Sequence, residues 1–124
     1  MKDKNYEKNV FINCPFDEEY ETLLKSILLI ISYLGYNPRI ALESSDVSTT
    51  RLSKIVALIE ESKYSIHDLS RLKSKRKNEF ARLNMPFELG IDFGSKKFSN
   101  NHKTKKFLVL SNDVHDYKKA FEAS

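Results

Sequence analysis

The sequence predicts a small three-layer α/β domain on a parallel sheet with strand order 2-1-3-4. Three observations predict it. Short β-branched runs alternate with longer segments of three- and four-residue apolar spacing, which gives βαβαβαβα. Each crossover helix makes the two strands it joins run parallel. Right-handed crossovers then put helices on both faces of the sheet, and the first strand, apolar and bounded by helices, is placed centrally.

The first strand is Asn9 to Cys14 (NVFINC), apolar enough to be buried on both faces and ended by Pro15. Asp17 is placed to cap the helix that follows. Tyr20, Leu23, Leu24, Ile27, Leu28, Ile31 and Leu34 recur at helical spacing and predict a broad buried face, which Gly35 terminates. Tyr36 to Leu42 reads as a second strand, with Pro38 near its start or on a sheet edge. A polar loop, Glu43 to Thr50, leads to a second amphipathic helix marked by Leu52, Ile55, Val56 and Ile59. Tyr64 to Leu69 (YSIHDL) is the third strand, and a charged loop follows up to Leu83.

Asn84 is placed as an N-cap, with Pro86 early in the next helix, where a missing N–H costs nothing. Phe87, Leu89, Ile91 and Phe93 continue that helix. Gly90 and Gly94, four apart, predict close packing of helix on sheet. Phe107 to Leu110 is a fourth strand, and Asp116 to Ala123 a last helix. The 124 residues therefore read as one domain. Folds of this kind often carry a fifth strand, so the expectation is either a piece of a longer protein or a sheet that a partner completes.

Composition narrows the function classes. With 40% hydrophobic and 31% charged residues, a core and a solvated surface can both form. The one cysteine, Cys14, cannot make an internal disulfide, which suits a reducing compartment. The first ten residues hold no apolar signal core, and the stretch Ile27 to Leu34 is far short of the ~20 residues of a membrane span. The expectation is a cytoplasmic protein without a membrane partner. The net charge of +4 is concentrated in Arg71 to Arg82 and in Lys96 to Lys106, which read as two solvated loops. Aromatics do not alternate with these charges, which disfavours nucleic acid.

Open parallel sheets bind ligands beyond the carboxyl ends of their strands. Asn13, Cys14, Pro15, Phe16 and Asp17 lie there after strand one, Glu43 to Asp46 (with Ser44) after strand two, and His67, Asp68, Ser70 and Arg71 after strand three. Asn84 to Glu88 open the third helix at the same edge. Glu88 is the leading candidate. A carboxylate in a first helical turn is stabilised by the helix dipole. Beside Pro86, Phe87 and Leu89, however, it is also desolvated, and desolvation raises its pKa. Asp68 should approach the same mouth. His67 alternates with it, so it faces the other side of the sheet and reads as a packed histidine. Cys14 reads as a buried thiol without a base. No Cys/His spacing suits a metal, and neither GxGxxG nor a Walker loop is present.

Three stretches carry a resemblance: VFINCPFDEEY (Val10 to Tyr20), YSIHDLSR (Tyr64 to Arg71) and NMPFELGIDFGSKK (Asn84 to Lys97). Together they resemble nucleoside 2-deoxyribosyltransferase-like proteins and the TIR-like domains, which share a flavodoxin-like architecture. The resemblance implies cleavage or transfer at an N-glycosidic bond, with Glu88 and Asp68 catalytic and Asn13, Pro15 and Phe16 contacting the ligand. Asp17, Ser44 and Asn84 join them as ligand contacts by their place at the edge. It implies NAD or another nucleotide or nucleoside as substrate, no resident cofactor, and service as a prokaryotic antiviral (NADase) effector. The other reading is a non-catalytic nucleotide-sensing or oligomerising module, in which Glu88 only caps or packs. Leu29, Ile30 and Tyr33 lie beside the main stripe of the first helix, and this second apolar side predicts a homo-oligomer.

Overall fold

The computed structural model describes residues 3–41, 50–70 and 84–112. In chain order they form β1 (Asn9–Asn13), α1 (Glu18–Tyr33), β2 (Asn37–Arg39), α2 (Arg51–Glu60), β3 (Tyr64–Asp68), α3 (Asn84–Phe98), a 3-10 turn (Asn100–His102) and β4 (Lys106–Leu110). The sheet has the order β2-β1-β3-β4, and every pairing is parallel. The predicted α/β alternation and the central first strand are both observed, as a flavodoxin-like type of fold in general. The predicted last helix, Asp116 to Ala123, lies outside the described residues, as does the candidate Ser44.

All five residues of β1 are buried because helices cover both of its faces. Val10, Ile12 and Cys14 pack with Tyr20 and Ile31 of α1. Phe11 turns the other way, onto Ile55, Leu58 and Ile59 of α2. Burying a side chain of that size stabilises the fold by roughly 1.5–3 kcal/mol. Register places Asn13 beside His67 and Asp68 beside Leu110, so the carboxyl ends of β1, β3 and β4 form one edge.

The helix starts follow from their caps. The Asp17 carboxylate accepts the Tyr20 amide at 2.9 Å, and the Thr50 hydroxyl accepts the Ser53 amide at 3.1 Å. Past the end of α1, Gly35 sits at φ 85°, a conformation that a Cβ makes costly.

Several sequence expectations need correction. α1 buries only Tyr20 and Ile31, while Leu23 and Leu34 are exposed. Among the described residues α1 is alone on its side of the sheet, so only its line toward β1 is covered. Leu52 is exposed, and Leu58 takes the inward place on α2. On α3 the inward face is Met85, Glu88, Leu89 and Asp92, whereas Phe87 and Phe93 point outward. Gly90 and Gly94 lie off that face: a Cβ at either would meet nothing within 4 Å, so close packing is not their role. Nor do all the lysines between 96 and 106 sit in a solvated loop, because Lys105 is fully buried.

Tyr6, ahead of β1, is also buried, and its hydroxyl meets His102 Nδ1 at 3.0 Å. No helix of the described residues is long and apolar enough to cross a membrane.

Candidate functional site

The carboxyl edge gathers the tips of β1 and β3 with the first turns of α2 and α3. Glu88, one turn into α3, is 4% exposed. Its Oε1 lies 3.6 Å from Nη2 of Arg51, which opens α2 and is half exposed. That distance is an ion-pair contact longer than a hydrogen bond, and no described group donates to Oε1. Burial pushes the Glu88 carboxyl up to about 7, against the opposing pull of Arg51. Of the three neighbours expected to desolvate it, Leu89 is buried and Pro86 half-buried, whereas Phe87 is exposed.

Asp68 reaches the edge from the other side of the sheet. Its Oδ2 accepts the Tyr20 hydroxyl of α1, and its Oδ1 accepts the Ser70 amide at 2.8 Å. Cys14 lies within range of both acids. Burial, then the charges of Asp68, Glu88 and Asp17, push its thiol up to about 12. At pH 8 the thiolate fraction is then on the order of 1 in 10,000, against about 1 in 4 for an ordinary thiol. Native protein is expected to resist a disulfide reagent such as DTNB over hours, and to label stoichiometrically once unfolded. Rapid labelling of the native fold would contradict this environment.

The remaining candidates divide. Pro15 is buried and Phe16 packs against the α1 core, while Asp17 is occupied as the cap of α1. Asn84 is exposed at the start of α3. Asn13 is 2% exposed, and its amide nitrogen donates to the Met85 carbonyl at 2.8 Å and to His67 Nδ1 at 2.9 Å.

His67 is the packed histidine expected, edge-on to Phe11 and Phe107 on the face opposite Asp68. It is also part of a chain that sequence reasoning missed. His67 Nε2 meets Asp92 Oδ2 at 2.8 Å, and Lys105 Nζ forms an ion pair with Asp92 Oδ1 at 3.1 Å. Lys105 also donates to the carbonyls of Ile59, at 2.7 Å, and Ser62. All three ionisable side chains are fully buried. Burial alone would push the Asp92 carboxyl up. The hydrogen bond from His67 and the charge of Lys105 outweigh it and hold the carboxyl below its ordinary range. One signal was available in the sequence: Asp92 falls at helical spacing from Met85 and Leu89, a charge on an apolar face.

Among the described residues no three His, Cys, Asp or Glu side chains converge as a metal site. An apolar groove of about 280 Å³, lined by Val10, Ile31, Leu34, Tyr64, Ile66 and Leu108, opens beside α1, away from Glu88. No family model matches this chain, and no curated protein matches it either.

Proposed function

We propose that the carboxyl edge binds NAD or another nucleotide or nucleoside, and that Glu88 acts in cleavage or transfer at its N-glycosidic bond. The observation that carries this reading is a nearly buried carboxyl one turn into α3, at a ligand-binding edge, with its pKa pushed up to about 7. When the bond breaks, its electron pair leaves with the base nitrogen and positive charge develops on the anomeric carbon. Ionised Glu88 stabilises that charge or traps the carbon as an ester, and water or an acceptor hydroxyl completes the exchange. Near pH 7 both protonation states of Glu88 are populated, as acid–base work in this range requires. The resemblance to nucleoside 2-deoxyribosyltransferase-like and TIR-like domains supports the same bond, and with it a role in antiviral defence.

The test is incubation of the protein with NAD and a panel of nucleosides and nucleotides, followed by chromatography of released bases. Release from one of them is the expected result; release from none would overturn the enzyme reading. A second reading, a nucleotide sensor of the same fold, has one observation in its favour. Both oxygens of Asp68 already accept hydrogen bonds from within the protein, as in a structural carboxylate.

Either reading is proposed for a homo-oligomer. Leu29, Ile30 and Tyr33 of α1 are 71%, 57% and 87% exposed, a contiguous apolar strip of the kind that marks contacts. Light scattering is expected to give at least a dimer, and Ile30→Lys to shift it toward monomer. A wild-type monomer at high micromolar concentration would remove the proposal.

A further inference from the structure

We infer that Asn13, His67 and Asp92 form a clamp that fixes the rotation of α3 about its axis and so aims Glu88 at the carboxyl edge. Met85, Glu88 and Asp92 share the inward face of α3. The clamp holds that face on both sides of Glu88. One turn before it, the Met85 carbonyl takes the Asn13 amide; one turn after it, the Asp92 carboxylate takes His67 and Lys105. The two grips are joined through the ring of His67, whose nitrogens face Asn13 and Asp92. A helix gripped at one point can swivel; gripped at two points about two turns apart, it cannot.

The polarity of the chain is fixed by its ends. The Met85 carbonyl can only accept, so the Asn13 amide must turn its nitrogen inward. That nitrogen also faces His67 Nδ1, which therefore accepts and carries no proton. Nε2 then holds the proton and donates it to Asp92. A buried ion pair is not in general more stabilising than apolar packing of the same volume, so its presence is better explained by the geometry it imposes. Asn13 and His67 are accordingly positioning residues, which act through the backbone of α3 and not on a ligand.

The inference rests on Glu88 as the acting carboxylate, but its spectroscopic test does not. In long-range ¹H–¹⁵N spectra of the full chain, His67 is expected as the Nε2–H tautomer. An Nδ1–H tautomer would break the chain at Asn13 and overturn the clamp. The Glu88 titration, followed by ¹³C NMR beside Arg51, Cys14 and Asp68, gives the second measure. Asn13→Ala should move its midpoint by about a unit, because the turn no longer holds the carboxyl in the same surroundings. His67→Gln, which keeps one acceptor and one donor, should leave the midpoint in place, while His67→Leu should move it. Ile55→Val, a core change outside the chain, should leave it too. An unmoved midpoint in folded Asn13→Ala, or in His67→Leu should Asn13→Ala not fold, would overturn the inference. If a base-releasing activity is found, Asn13→Ala should lower kcat about tenfold or more with little change in KM. A moved midpoint in a protein that releases no base would keep the clamp and discard the glycosidase reading.

Discussion

Glu88→Gln is expected to abolish base release while making the protein more stable above neutral pH. Gln keeps the shape of Glu and removes its charge. If that charge stabilises an oxocarbenium-like state, its loss raises the barrier by about 3 kcal/mol or more, a hundredfold or greater in rate. The stability effect has the opposite sign. The Glu88 carboxyl lies at about 7 in the fold against an ordinary 4.5. The unfolded chain therefore gives up this proton more readily than the folded one. Wild-type stability falls as pH rises from about 4.5 to about 7 and is level above that. The ceiling of the loss is about 3 kcal/mol, which Gln escapes. Melting temperatures of the two proteins should coincide near pH 4 and separate by pH 8, with the variant higher. A carboxylate that served only the helix dipole would behave otherwise: the variant would lose about 0.3–1 kcal/mol, and turnover would not change.

Asp92→Ala should be the most destabilising of the changes considered. It leaves the Lys105 ammonium fully buried without its counter-ion and takes the acceptor from His67. Removing one partner of a buried pair costs about 3–5 kcal/mol, much of it the penalty on the charge left behind. Urea denaturation should show the loss as a lower midpoint at unchanged slope. Lys105→Met in the same chain should restore part of it, and the double-mutant cycle then measures the coupling. The pH dependence is set by Asp92, whose carboxyl is held below the ordinary 3.8. Its contribution is complete above about pH 4 and disappears as pH falls through the folded value, so wild type and variant should converge in acid. Equal stability of the two at pH 7 would show that the ion pair merely offsets its own desolvation.

The fold could be read from the sequence because its signals are local. NVFINC, YSIHDL and FLVL are short β-prone runs between helical periods, and the apolar character of the first places it inside the sheet. Glu88 could be read as well, since a carboxylate among apolar neighbours is a local conflict between charge and burial, although it lies one turn into α3 and not in the first turn. Lys105 could not. Its neighbours Lys103 and Lys106 are exposed, and no periodicity distinguishes the one lysine that turns inward to Asp92 and the end of α2. The partner of Asn13 was hidden for the same reason, because Met85 is 72 residues away in the chain. Helix α1 shows the converse failure: its wide apolar stripe predicts a broad buried face, but spacing reports which residues share a face and not how much of that face another layer covers.

The two margins of the sheet are unequal. β2 has three residues, one of them Pro38, which has no N–H to offer a newcomer. β4 has five residues with no proline, and its half-exposed Leu108 gives an incoming strand an apolar side chain to lie against. A margin of the first kind discourages edge-to-edge association, and one of the second kind permits it. Among the described strands the sheet is therefore directional: the β4 margin is open to a further strand, and the β2 margin discourages one.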